Sequence, residues 1–307
     1  MLPVNAMRWE RSTTVPTSHT AGRGMRRGRV YRLRHAGRLG FAVSEFSRTC
    51  LTRLMDYPDI PIHLQSAQIV KADATTLLLR THLRLGSGRT TVAYKRIQRR
   101  TAVKILTSLL RPQRLLRSWR VGHHLRSQGV ATPRPLAAIT ARRLAWRADG
   151  YLATQWIDGA VGVDVFLDKL GCRSALERQR ISRAAATELG RLIAQMHEAS
   201  VQHRDLKVAN LLLSEQGQRI KAWVIDLEGA SVALRVPWRT RYKNLARLTL
   251  CFRDELQISL SLRLRFCRAY LDACGAPRDA WKSLWNTLDR SSARLARKKR
   301  RRQRRSR

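Results

Sequence analysis

The sequence predicts an α+β chain of two unequal halves, a small strand-rich first half and a larger helical second half. Three observations carry that expectation. β-prone runs crowd the stretch from Gln65 to Ile157, and apolar residues recur at helical spacing beyond the turn at Asp158-Gly159. The third is the polar string His203-Arg204-Asp205-Leu206-Lys207-Val208-Ala209-Asn210, followed by Leu211-Leu212-Leu213 and then by Val224-Ile225-Asp226-Leu227-Glu228-Gly229. The two stretches supply a carboxylate on a loop, a lysine two residues on, an amide, and a second carboxylate at the end of an apolar strand. Phosphoryl transfer from a magnesium nucleotide uses such parts: a group that orients the acceptor, a cation for the moving phosphoryl group, and hard oxygen ligands for the metal.

Bulk properties narrow the partners. The 307 residues carry a formal net charge of +40, and the last fourteen, Arg294 to Arg307, hold ten Lys or Arg and no acid. No Asp or Glu falls between Asp73 and Asp149, an interval with seventeen Lys or Arg. Such a field favours polyanions: nucleic acid, anionic lipid or a phosphorylated glycolipid. The five cysteines are odd in number and lack Cys-x-x-Cys spacing, which argues against zinc and a disulfide framework and fits a reducing compartment. No apolar run approaches membrane-spanning length.

In chain order, residues 1–28 mix Pro, Thr, Ser, Gly and Arg without apolar period and read as a disordered extension. Val30 to Leu33 reads as a strand and Glu45 to Met55 as a short helix. Gln68 to Lys71, Thr76 to Leu83 and Thr90 to Ile97 read as strands, the last two joined through Gly86-Ser87-Gly88. The apolar run Ile105 to Leu110 is broken by Arg111-Pro112. A helix from about Gln113 to Ser127 stops at Gly129, and Leu136 to Ile139 and Tyr151 to Ile157 complete about five strands. The second half opens with an amphipathic helix through Ile181, Ala185, Leu189, Leu192, Ile193 and Met196, ending before His203. Further helices are expected over Leu245 to Phe252, Leu256 to Cys274 and Trp281 to Leu288, with residues 291–307 as a basic disordered tail.

With these elements placed, His203-Arg204-Asp205-x-Lys207-x-x-Asn210 resembles the catalytic loop of protein kinases, and Asp226-Leu227-Glu228 stands where they carry Asp-Phe-Gly. Lys95, within Val92-Ala93-Tyr94-Lys95, is similar to their third-strand lysine. The resemblance implies a bilobal protein-kinase-like fold, with a β-rich N-lobe over 29–157 and a helical C-lobe over 158–290. Softer markers resemble the bacterial lipopolysaccharide core kinases, which phosphorylate Kdo or heptose. These are Ser118-Trp119-Arg120 leading to Gly129-Val130-Ala131-Thr132-Pro133-Arg134-Pro135, the Asp-Leu-Glu form itself, Asn244-Leu245-Ala246-Arg247-Leu248, and Arg265-Phe266 with Ala269-Tyr270-Leu271. No Ala-Pro-Glu element of protein-substrate kinases follows Asp226.

The resemblance implies ATP and Mg²⁺ as cofactors. Asp205 and Lys207 would be catalytic, Asn210 and Asp226 metal ligands, and Lys95, Gln155 and Trp156 nucleotide contacts. The implied acceptor is an anionic glycolipid sugar, at the inner face of the inner membrane, with the anionic surface as a second partner; nucleic acid at the tail is not favoured. His203 is read as a hydrogen-bonder that holds the loop, Glu228 as structural although within possible reach of the metal, and His123, His124 and His197 as core or surface residues. Two departures stand out. No Gly-x-Gly-x-x-Gly precedes Lys95, the segment Val70 to Thr76 having no glycine, and the helix after Lys95 has no acid, Ser118 falling near the place of the usual pairing Glu. They leave two rival readings: another kinase on the same scaffold, protein Ser/Thr kinases included, and a pseudokinase-like polyanion-binding module.

Overall fold

The computed structural model describes residues 30–86, 88–98, 114–141, 149–255, 258–277 and 279–305. In the first half, β1 (Val30–His35), β2 (Arg38–Val43), β3 (Gln68–Ala72), β4 (Thr76–Leu85), β5 (Gly88–Ile97), β6 (Pro135–Ala141) and β7 (Gly150–Gln155) form one sheet. Its order is β1-β2-β6-β7-β5-β4-β3, with every neighbouring pair antiparallel. Lys95 lies on β5, inside the sheet, paired with Leu78 of β4 and Leu152 of β7. Strand alternation sends Val92 and Tyr94 into the sheet's core and turns Lys95 to the opposite face.

Two helices cover the sheet. α1 (Arg48–Asp56) is N-capped by Ser47, whose Oγ accepts the Cys50 N–H, and buries Leu51, Leu54 and Met55. α2 (Arg114–Ser127) lies between two cores. Leu115 and Trp119 join the sheet's cluster, while Val121 and Leu125 join that of the second half. Gly122 lets it approach closely, since a Cβ there would sit 2.6 Å from Pro135 Cγ.

The second half packs around α4 (Ala175–Glu198), with α3 (Val163–Leu170) before it and α5 (Trp238–Leu250), α6 (Leu260–Ala273) and α7 (Ala280–Arg305) after it. Ser174 caps α4, and its buried stripe includes Ile181, Ala185, Leu189, Leu192, Ile193 and Met196, the residues expected from helical spacing. Two small sheets hold the polar string. β10 (Leu211–Gln216) pairs with β11 (Arg219–Val224) and β8 (Val161–Gly162), and β9 (Val201–His203) pairs with β12 (Ala230–Val232).

The structure differs from expectation in four places. Among the described residues the first half has seven strands, one more than expected; β2 was hidden by Gly40 at its centre and by a turn built on Ala36 and Gly37, at φ 47° and 67°. Alanine is uncommon at positive φ, so the turn carries little sequence signal. A Cβ at Gly40 would lie 2.7 Å from Met55 Sδ, and the glycine lets α1 seat on the sheet. α6 starts at Leu260, while α5 passes into a π-helical turn over Cys251–Glu255. The last helix does not stop near Leu288, nor is the chain beyond 291 irregular through Arg305. α7 continues because Leu284, Leu288, Ser292 and Leu295 keep facing the core, while the basic residues between them are good helix formers. The disordered extension over 1–28 and the run Ile105 to Leu110 lie outside the described residues.

Candidate active site

The polar string is held by hydrogen bonds to the protein around it. His203 is fully buried; its backbone N–H donates to Asn244 Oδ1 at 2.9 Å, and Nε2 meets the Asp226 carbonyl at 3.1 Å. Because the Asp205 N–H donates to Nδ1 at 3.3 Å, the ring's proton belongs on Nε2. A neutral ring fits the setting, since burial pushes the His203 pKa down. His203 is thus the hydrogen-bonder expected from sequence. Arg204 N–H donates to Gly229 O at 3.0 Å, tying the loop to the acidic element. Behind it, Asn244 Oδ1 also takes His197 Nε2 at 3.4 Å, and Tyr270 OH meets His197 Nδ1 at 2.9 Å.

Asp205 is exposed at the loop's tip, where Lys207 Nζ lies 3.0 Å from its Oδ2. Asn210 is buried, and its Nδ2 donates to the Asp205 carbonyl at 2.8 Å, which leaves Oδ1 as the acceptor end of the amide. The Ile225 N–H donates to the Asn210 carbonyl at 2.9 Å, bringing Asp226 beside Asn210. Asp226 itself is left-handed, at φ 55° and ψ 57°. That conformation is uncommon away from glycine, and it turns the chain sharply out of β11. An amide oxygen and a carboxylate fit a hard divalent cation such as Mg²⁺, which takes few protein ligands and completes its shell with phosphate oxygens and water. Among the described residues no cluster of three or more His, Cys, Asp or Glu could hold a metal.

Lys95 reaches this element from the sheet. Its Nζ lies 2.9 Å from Asp226 Oδ1 and 2.5 Å from Glu228 Oε1. Burial pushes the lysine's pKa down, but the two carboxylates outweigh it, so the net shift is upward and the ammonium is held. Lys95 therefore has an ion-pair partner after all, supplied from the Asp-Leu-Glu turn rather than the helix. The pairing of Glu228 with Lys95 joins a strand and a turn far apart in the chain, so no local pattern in the sequence signals it. At the helix, Ser118 is buried, and Arg117 Nη1 donates to the Glu228 carbonyl at 3.4 Å. Thr132 also escaped notice as a site residue: its Oγ1 donates to Val224 O at 2.7 Å, while Val224 N–H donates to Ala131 O at 3.1 Å. The Thr-Pro-x-Pro passage thereby locks β11 two residues before Asp226.

The residues expected to meet the nucleotide's base are engaged elsewhere. Gln155 ends β7 and Trp156 follows it, but their N–H groups are engaged with Arg134 O at 2.8 Å and Thr91 O at 3.0 Å. Neither N–H is left to donate to a base, and the Trp156 ring has the Arg80 guanidinium 5.4 Å from its centroid. The glycine-free turn between β3 and β4 is closed by Asp73, whose Oδ1 accepts the N–H groups of Thr75 at 3.0 Å and Thr76 at 2.8 Å. An acidic turn stands where glycine-rich loops present backbone donors to phosphate.

A strand lysine paired with an acidic turn, an anchored Asp-x-Lys-x-x-Asn loop and a carboxylate in left-handed conformation, carried on a β-rich and a helical half, define the protein-kinase-like fold. The solved structure of WaaP in complex with acyl carrier protein superposes with a TM-score of 0.56, at 23% identity, over 79% of this chain and 95% of that one. Residues 88–270 match the model of the lipopolysaccharide kinase (Kdo/WaaP) family, and the chain belongs to that family. Among its relatives, the 3-deoxy-D-manno-octulosonic acid kinase of Vibrio cholerae is 33% identical over 135 residues, covering 44% of this chain and 51% of the relative. The lipopolysaccharide core heptose(I) kinase WaaP of Pseudomonas aeruginosa is 29% identical over 175 residues, covering 55% and 63%. The chain spans about half to two thirds of the length of these curated relatives.

Proposed function

We propose that this chain transfers the γ-phosphoryl group of ATP, as its Mg²⁺ complex, to a hydroxyl of an inner-core lipopolysaccharide sugar, Kdo or heptose. The observation that carries the reading is the convergence of Lys95, Asp226 and the anchored Asp205–Asn210 loop on one another. Family membership and the names of the relatives supply the acceptor class. In this reaction the acceptor oxygen forms a bond to the γ-phosphorus as the bond to the β-bridging oxygen breaks, ADP leaves, and the hydroxyl proton passes to Asp205. Asp205 also orients the hydroxyl in line, which matters because a sugar hydroxyl is a poor nucleophile unless positioned. Lys207, beside Asp205, neutralises the transferring group. Lys95 holds the nucleotide's phosphates. Asn210 Oδ1 and the Asp226 carboxylate would hold Mg²⁺, which supplies charge neutralisation at the phosphates. Gln155 and Trp156 line the nucleotide's base end through ring and carbonyl rather than through their N–H groups.

No helix among the described residues is long and apolar enough to cross a membrane. We place the chain peripherally at the cytoplasmic face of the inner membrane, held by α7. Its exposed Arg290, Arg294, Arg297, Arg301 and Arg304 recur at i, i+4, i+7, i+11 and i+14, one stripe opposite the buried Leu284, Leu288 and Ser292. Each such charge near an anionic bilayer contributes about 1 kcal/mol. The test is to incubate the chain with Mg²⁺–ATP and either Kdo–lipid A or a heptosylated core, then read glycolipid mass. Gain of one phosphate on the sugar supports the reading; ATP binding with no transfer to either acceptor refutes the acceptor class.

A further inference from the structure

The geometry points to Glu228 as the positioning residue that holds Lys95 for the nucleotide phosphates, in place of a carboxylate from helix α2. The assignment rests on the phosphotransferase reading above and names a component of it. Three observations converge. Glu228 Oε1 lies 2.5 Å from Lys95 Nζ as an ion pair, nearer than Asp226 Oδ1 at 2.9 Å, which takes the lysine's hydrogen bond. Its side chain is only 17% exposed, so the pair is sheltered from the screening that weakens surface ion pairs. The sequence of α2 contains no acid that could take the part, and its Arg117 instead grips the backbone carbonyl of Glu228.

The arrangement divides the labour between two carboxylates two residues apart. Asp226, turned outward by its left-handed backbone, is the one fit to leave Lys95 for a cation. Glu228 then keeps the ammonium in the cleft when Asp226 turns away. Lysine and metal are thus positioned by the same turn, and α2 contributes by fixing that turn rather than by touching the lysine. A shift of α2 alone would not uncouple Lys95 from its partner, whereas a change in residues 226–228 would disturb both functions together.

The experiment uses the full chain and four variants, Glu228→Gln, Glu228→Asp, Lys95→Met and the double variant Glu228→Gln with Lys95→Met. Affinity for a fluorescent ATP analogue with Mg²⁺ is measured for each, with thermal melts to verify folding. Glu228→Gln is expected to bind the nucleotide about tenfold more weakly or worse while melting as a folded protein, because one of the two carboxylate charges that hold the ammonium is lost. Glu228→Asp is expected to recover part of the affinity. The double variant is expected to bind no worse than Lys95→Met, since the carboxylate acts only through the lysine. Wild-type affinity in Glu228→Gln, or a double variant whose loss equals the product of the two single losses, overturns the role of Glu228 alone. A wild-type chain that binds no nucleotide overturns both this role and the phosphotransferase reading.

Discussion

Replacing Asn244 with leucine tests the most concrete claim about how the loop is held. The Asn244 Oδ1 atom accepts the His203 backbone N–H at 2.9 Å and takes His197 Nε2 at 3.4 Å, and all three residues are buried. Leucine shares the branched shape of asparagine, though it is bulkier, and leaves both donors without an acceptor. An unsatisfied buried donor costs roughly 1–3 kcal/mol, so the loss is about 3 kcal/mol, weighted toward the shorter bond. For a chain of this size that lowers Tm by about 5 °C. Because His203 also spans to the Asp226 carbonyl, the loop should loosen as well, and phosphotransfer is expected to fall by more than the unfolded fraction explains. Asn244→Asp retains an acceptor for the His203 N–H and should lose less stability than leucine. Urea and thermal denaturation measure this. A leucine variant within about 0.5 kcal/mol of wild type, the ordinary scatter of a neutral substitution, would refute the claim that Asn244 anchors the loop.

Three further outcomes are expected. Burial pushes the His197 pKa down to about 4, below its ordinary 6.5, so the unfolded chain takes up a proton first as pH falls. The stability held by the neutral ring is present above pH 6.5 and drains toward pH 4, at up to about 1.4 kcal/mol per pH unit; a melting temperature that is flat from pH 7 to 5 would contradict this. Gly122→Ala places a Cβ 2.6 Å from Pro135 Cγ and should destabilise by about 1–3 kcal/mol, read as a lowered urea midpoint with unchanged slope. Reversing Arg294, Arg297 and Arg301 to Glu on α7 should weaken sedimentation with anionic vesicles by about 100-fold or more at moderate salt, with neutral vesicles as the control. Equal binding of variant and wild type would remove α7 from the membrane-facing role.

What could be read from sequence was set by local signals. The polar string, the acidic turn and the stripe of α4 are each contiguous or strictly periodic, and all three lie where spacing placed them. The missing pieces depend on contacts between distant residues. Glu228 is close to Asp226 in sequence, but its pairing with Lys95 exists only once β5 folds over the turn. Thr132 and Asn244 act through hydrogen bonds to β11 and to the loop, and no local pattern announces such a bond. β2 was concealed by a glycine whose purpose is to admit Met55, and α7 by a charge run that hides an intact apolar face. In each instance tertiary packing overrode a weak local preference.

The account stands or falls on phosphoryl transfer by the loop that includes Asp205. The most direct measurement follows label from γ-labelled ATP to Kdo–lipid A or heptosylated core, with Mg²⁺, for the wild type and for Asp205→Asn and Asp226→Asn. Transfer by the wild type is expected, with at least about 100-fold slower transfer in Asp205→Asn and a comparable loss in Asp226→Asn, both variants melting as folded proteins. Undiminished transfer by Asp205→Asn, or none by a folded wild-type chain, would contradict it.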